Sequence, residues 1–123
     1  MKILLINGNR DEVGIFGDAL KKVNNSISFS FALDEAEAMR YLRDNESSLP
    51  DAVFINEKHL LFLERLRKHE QFADLQVTMY TNSTDADHIE RALSLNAGLL
   101  PRPNSYRELI ALLKRKVERL QRD

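Results

Sequence analysis

The chain has 123 residues and a formal net charge of −1. That length fits one domain, and a domain this size buries roughly two-thirds of the surface its unfolded chain exposes. Near-neutrality argues against a general electrostatic nucleic-acid binder. The absence of cysteine removes disulfides, thiol catalysis and Cys-based zinc sites, and fits a reducing compartment. No apolar stretch reaches the length of a membrane span. The start, Met1 to Ile6, is too short an apolar run for a signal peptide. A cytoplasmic location, with no membrane association, is the resulting expectation.

Ile3-Leu4-Leu5-Ile6 is a continuous apolar run ended by Asn7-Gly8-Asn9, as suits a strand buried on both faces. Val13, Phe16, Ala19, Leu20 and Val23 then share one face of a helix, which Asn24-Asn25-Ser26 ends. Ile27 to Phe31 alternates and predicts a half-exposed strand. Asp34 is placed to cap a second helix with apolar positions Ala36, Ala38, Met39 and Leu42. A turn at Ser47 to Pro50 leads into a third strand, Ala52 to Ile55. Leu60, Phe62, Leu63 and Leu66 form a third helical face. Val77 to Tyr80 is a fourth strand, and the polar loop Thr81-Asn82-Ser83-Thr84 is placed to cap a helix carrying Ile89, Ala92 and Leu93. Gly98-Leu99-Leu100 is a short fifth strand stopped by Pro101-Arg102-Pro103. Ser105 and Glu108 have capping-box spacing, and Leu109, Leu112, Leu113, Val117 and Leu120 line the last helix.

Strict βα alternation predicts a parallel sheet with helices on both faces. Strands one and three are solidly apolar and belong in the centre. Strand two alternates and strand five is short and proline-stopped, so both suit edges. The expected fold is therefore a flavodoxin-like, doubly wound (βα)5 sheet of order 2-1-3-4-5. No linker or repeat interrupts residues 1–123, which read as a single domain with no output domain.

In such a sheet, ligands bind beyond the carboxyl ends of the strands. Those ends offer Asn7, Gly8 and Asn9, then Asn56 and Glu57, then Thr81, Asn82 and Ser83, and finally Arg102. At these positions, and in the stretches Pro50 to Asn56, Val77 to Ser83 and Arg102-Pro103, the chain resembles the receiver domain of bacterial two-component response regulators. The resemblance runs over essentially the whole chain. In that family the first strand ends in an acidic pair that holds Mg²⁺, and the third ends in a phosphoacceptor aspartate. The fourth ends in a threonine or serine, and the fifth in Lys-Pro.

Carried over, the resemblance places Asn7 and Gly8 at the acidic pair, Asn56 at the phosphoacceptor and Thr81 at the switch hydroxyl. Arg102 takes the place of the lysine, followed by Pro103, and Leu99 that of an aromatic rotamer switch. It also implies a cis Arg102–Pro103 bond. Glu57-Lys58-His59 is shorter than the loop usual in the family after strand three.

An amide is a poor nucleophile where a carboxylate is needed. Asn7, Gly8 and Asn56 offer no carboxylate to Mg²⁺, which prefers oxygen ligands including one or two carboxylates. The expectation is a degenerate pseudo-receiver: not an enzyme, without cofactor or Mg²⁺, in a pocket neutral apart from Arg102. Asn7, Asn9, Asn56, Thr81 and Arg102 are expected to form a standing hydrogen-bond network. Arg102 is expected to pair with Glu57 or Asp11, or to bind an anion. The domain would act on a signalling protein, or on a second copy of itself, through the fourth helix, fifth strand and fifth helix. That face includes Arg91, Leu95, Leu99 and Arg107.

Two alternatives stand beside this reading. One is a phosphorelay receiver modified at a neighbouring acid, Glu57 or Asp51, with Glu57 expected to point away across the strand end. The other is a small-anion or ligand sensor built on Arg102. His59, His69 and His88 share no metal-ligand spacing and read as surface histidines. The basic run Lys114, Arg115, Lys116, Arg119 and Arg122 reads as a solvated helix end.

Overall fold

The computed structural model describes residues 1–122, with the side chain of Arg122 outside the described set. Five strands alternate with five helices: β1 Lys2–Ile6, α1 Arg10–Val23, β2 Ser28–Ala32, α2 Glu35–Asp44, β3 Ala52–Ile55, α3 Leu60–Lys68, β4 Val77–Thr81, α4 Ala86–Ser94, β5 Gly98–Pro101 and α5 Tyr106–Arg122. A short 3₁₀ turn, Glu57–His59, joins β3 to α3. The strands are parallel in the order β2-β1-β3-β4-β5, which is the expected flavodoxin-like arrangement.

The period-two geometry of the strands divides the core into two layers. Leu4, Ile6, Val53, Ile55, Val77 and Met79 face α2, α3 and α4 through Ala38, Leu42, Leu63, Leu66 and Ala92. Ile3, Leu5, Ala52 and Phe54 face α1 and α5 through Phe16, Leu20, Leu109, Leu113 and Val117. The central strands β1 and β3 are thus apolar at consecutive positions because both of their faces are covered. Phe16 is the aromatic hub of the second layer, edge-on to Phe54 at 5.1 Å and to Tyr80 at 5.5 Å.

Several local expectations are corrected. β2 starts one residue later than the alternation suggests, and β4 and β5 each run one residue further, to Thr81 and Pro101. Pro101 is tolerated because β5 is an edge strand whose outer side needs no ladder donor. Ala36 and Leu93, assigned to buried helix faces, are exposed, because α2 and α4 each pack along a narrow stripe. Asp85, not the preceding polar loop, caps α4 by accepting from Asp87 N at 2.9 Å. Ser105 Oγ accepts from Glu108 N at 3.1 Å as expected, but the Glu108 carboxylate reaches Asn104 N, one residue earlier than a reciprocal box requires.

One side chain ties two connections together. Arg67 of α3 donates to the carbonyls of Ala73 (2.9 Å), Leu75 (2.7 Å), Leu95 (2.7 Å) and Asn96 (3.3 Å). It thereby fixes the α3–β4 segment and the α4–β5 turn. At that turn Asn96 takes the left-handed conformation, φ 59°, which asparagine adopts more readily than most residues. With both segments pinned, β4 and β5 deliver Thr81 and Arg102 to the same end of the sheet.

Candidate functional site

The carboxyl ends of β1, β3 and β5 surround a cleft of about 690 Å³, lined by Asn7, Gly8, Asn9, Glu12, Asp34, Glu35, Asn56, Glu57, Lys58, His59 and Arg102, with Leu33. Strand geometry brings Asn7, Gly8, Asn56 and Arg102 together. Thr81 lies immediately below, buried at the end of β4. Leu99 is set apart, 40% exposed on β5 beside Met79.

Each amide at the cleft has a local structural task. Asn9 caps α1, its Oδ1 accepting from Asp11 N (3.0 Å) and Glu12 N (3.2 Å). Asn7 Oδ1 accepts from Asn9 N at 2.8 Å. Asn56 Oδ1 accepts from Lys58 N at 2.9 Å and so starts the 3₁₀ turn. Short polar side chains are suited to this, since their oxygens reach backbone N–H groups two or three residues ahead.

The pairing among the charged groups departs from the expected network. Arg102 Nη1 donates to Glu12 Oε1 at 2.5 Å, not to Glu57 or Asp11. Asn7 Nδ2 donates to the other oxygen of the same carboxylate at 2.8 Å. Thr81 Oγ1 donates to Glu57 Oε2 and accepts from Ser83 N at 3.0 Å. The standing network therefore runs through two carboxylates, Glu12 and Glu57, and Asn56 makes no side-chain contact with Thr81 or Arg102 in it.

Glu57 points into the cleft, not away from it. Strand alternation ends at Ile55, and the 3₁₀ turn then rotates the next side chain by a helical increment. Nor is the cleft neutral apart from Arg102: Glu12, Asp34, Glu35 and Glu57 line it with Lys58. The Arg102–Pro103 bond is trans, since the described residues contain no cis peptide.

Glu12 was absent from the sequence-derived set. A signal for it exists in Asn9-x-x-Glu12, which has N-cap-to-N3 spacing and folds such a carboxylate back toward the helix start. Here the carboxylate goes to Arg102 and Asn7 because a guanidinium is a stronger partner than the capping amide.

The hydrogen bond from Arg102 holds the Glu12 carboxyl below the usual carboxylate range, against the opposing effect of burial. For Glu57, burial opposes ionisation, but the bond from Thr81, a backbone N–H and the field of Arg102 outweigh it, and its pKa is also lowered. His59 is half-buried, and desolvation pushes its pKa below that of free imidazole. A lowered folded-state pKa means that the unfolded chain binds the proton first, so all three groups stabilise the fold less as pH falls. Stability is therefore expected to decline first below about pH 6.5 as His59 is charged. A second decline follows below the ordinary Glu value of 4.5 and is complete only once pH has passed the lowered folded values. Urea midpoints between pH 7 and pH 3 measure this, and the double variant Glu12→Gln/Glu57→Gln should flatten the lower limb.

The donors present do not suit Mg²⁺. Asn7, Gly8 and Asn56 bring no carboxylate. Of the four carboxylates that line the cleft, Glu12 is held by Arg102 and Asn7, Glu57 by Thr81 and Asp34 by Glu37 N, which leaves only Glu35, one oxygen of which is buried without a hydrogen bond. Among the described residues no group of three or more His, Cys, Asp or Glu is arranged to hold a metal ion.

No sequence-family model matches the chain, and no curated protein matches it by sequence. The fold is nevertheless that of response-regulator receiver domains. The chain superposes on the phosphorylated cyanobacterial phytochrome response regulator RcpA with a TM-score of 0.84 and 20% identity, covering 95% of this chain and 91% of that one. A two-component response regulator from Clostridium difficile aligns at a TM-score of 0.81 and 20% identity, over 99% and 96% of the two chains. The chemotaxis protein CheY4 of Vibrio cholerae aligns at 0.78 and 16% identity, over 97% of each. No described helix is long and apolar enough to cross a membrane.

Proposed function

We propose that this chain is an atypical receiver domain of two-component signalling that works without phosphorylation, by docking to a protein partner in the cytoplasm. It would not be an enzyme and would use no cofactor. The observation that carries the reading is the occupied site. The residue in the phosphoacceptor position, Asn56, is an amide spent on a turn. The groups that would otherwise meet an incoming phosphoryl group, Thr81 and Arg102, already hold the carboxylates of Glu57 and Glu12. A resident carboxylate at Thr81 ties the β3–α3 turn to the end of β4 without any modification or metal.

The surface best suited to docking is formed by α4, β5 and α5. Leu93 and Leu99 are exposed there, beside a small depression lined by Leu99, Leu100, Leu112, Arg115, Lys116 and Arg119. Arg91 contributes less than the sequence suggests, because Glu64 holds it at 3.2 Å. Either a signalling protein or a second copy of the chain could use this face. The overall charge gives no reason to invoke nucleic acid.

Incubation with acetyl phosphate and Mg²⁺, followed by intact mass measurement, tests the absence of phosphorylation. The expected result is unmodified protein. The runner-up, phosphorylation at a neighbouring acid, is favoured at Glu57 by its position inside the cleft. It is disfavoured at Asp51, whose carboxylate accepts from Lys2 N at 2.7 Å at the opposite end of the sheet. A phosphoryl adduct mapped to Glu57 would therefore overturn the main reading in favour of that one. Light scattering separates self-association from partner docking, and Leu99→Asp should abolish whichever contact uses β5.

A further inference from the structure

A second cavity lies on the far side of the Glu12–Arg102 pair. It is a groove of about 470 Å³ lined by residues of α1, the end of β4 and the segment leading into α5, a size within the range of small-molecule sites, about 300–1,000 Å³. Two tyrosines line it. Tyr80 is held edge-on by Phe16 and is covered by the Arg102 guanidinium, 4.9 Å from the ring centroid. Tyr106 stands at the rim, with Lys22 Nζ 5.4 Å from its ring centroid. Ile15, more than half exposed, forms part of the same rim. Two of the large apolar side chains that the described residues leave exposed thus converge on one concavity.

We propose that this groove binds a small planar aromatic anion. The exposed ring of Tyr106 and the flat guanidinium that covers Tyr80 offer stacking surfaces, which favour a flat π-system over an aliphatic one of equal size. The charge preference comes from Arg102, whose guanidinium makes its only hydrogen bond among the described residues through Nη1 to Glu12, leaving donors of the planar fork for a carboxylate. The positive end of the 17-residue α5 opens onto the same groove through Ser105 and Tyr106. Asn82 and Asn104 supply neutral polar groups at the wall. Two carboxylates oppose an anion here: Glu12, neutralised by Arg102, and Glu108, which accepts from Asn104 N.

Glu12 and Arg102 line both the groove and the cleft. An anion in the groove therefore competes with Glu12 for the guanidinium, and occupancy would loosen a pair that also lines the cleft.

The probe is naphthoate, titrated into the intact protein and followed by amide NMR and calorimetry. Naphthalene methanol serves as the neutral analogue and cyclohexanecarboxylate as the non-planar anion. Naphthoate is expected to shift the amides of Ile15, Tyr80 and residues 104 to 109, with a Kd below about 1 mM. Both analogues should bind at least about tenfold more weakly. Glu12→Gln, by releasing Arg102, should tighten naphthoate binding about tenfold. Tyr106→Ala, at a half-exposed rim position where the fold is not at risk, should weaken it. Equal binding of the neutral analogue would overturn the anion preference. Shifts scattered over the surface, or no change in Tyr106→Ala, would overturn the site. A concentration-dependent dimer that covers Ile15 and Tyr106 would assign the groove to a second copy instead.

Discussion

Arg67→Ala should lower stability by about 3–5 kcal/mol, one of the largest effects of any substitution outside the apolar core. A hydrogen bond to a charged donor contributes roughly 1.5–3 kcal/mol net, and acceptors left unpaired away from water add a desolvation cost. Arg67 serves four backbone carbonyls at once, in two separate connections. Burial already lowers the guanidinium pKa, so part of its hydration has been given up in exchange for these bonds. For a domain of this size the loss corresponds to a fall in Tm of roughly 10–20 °C. Arg67→Lys should recover little, since one ammonium on a flexible stem cannot span carbonyls that a rigid fork reaches together. Thermal unfolding followed by circular dichroism checks both variants. A fall of only a few degrees in Arg67→Ala would mean that water replaces the guanidinium at these carbonyls.

The second large effect is expected at the hub of the site. Arg102→Glu removes a charge-assisted bond of about 1.5–3 kcal/mol and a cation–π contact of about 0.5–1 kcal/mol. It also places a new carboxylate beside Glu12 and in the field of Glu57. Since Glu12 and Arg102 are partly exposed, solvent screens the added repulsion, and a total near 3 kcal/mol at neutral pH follows. The carboxyl contribution to the pH dependence should change sign. In the native chain mild acid is destabilising through His59, and the lowered carboxyl pKa values of Glu12 and Glu57 extend the loss below 4.5. In the variant, mutual repulsion raises the folded-state pKa values of the carboxyls above their unfolded values. These carboxyls then take up protons first in the folded state, so their contribution to stability rises as pH falls from 7 toward 5, against the loss from His59. Arg102→Gln should show the stability loss without the reversal. Urea titrations of the three proteins at pH 7 and pH 5 measure this, and an unchanged slope in Arg102→Glu would mean that Glu12 and Glu57 swing free of the cleft.

Both predictions concern arginines, and they differ in how legible their roles were. The position of Arg102 could be read directly, because it follows a short strand and precedes a proline, and strand ends gather at one edge of a parallel sheet. Its partner could not. Asp11 and Glu12 are adjacent in sequence, and only the rotation of α1 about its own axis decides which of them faces β5. Glu57 escaped for a related reason. Alternation predicts side-chain direction only while the chain remains a strand, and the 3₁₀ turn begins with the residue after Asn56. Arg67 was invisible as a structural lock. Nothing marks a basic residue on a helix as a ligand for carbonyls in segments up to 29 residues away, since such contacts depend on how those segments are folded.

What the sequence by itself determined is whatever follows from local pattern and short connections. The βα alternation, the buried central strands, the alternating second strand and the cap at Asp34 follow from periodicity and side-chain geometry, and together they specify strand order and the end where a site must lie. That these strand ends carry no carboxylate at Asn7, Gly8 and Asn56 could also be read, because it depends only on residue identity. Tertiary structure alone decided how the remaining charges pair. Glu12 with Arg102, Glu57 with Thr81 and Arg67 with four carbonyls are contacts between separate elements and connections. The strength and direction of such contacts depend on distances of a few ångströms between elements far apart in the chain, a scale on which electrostatic attraction and desolvation nearly cancel.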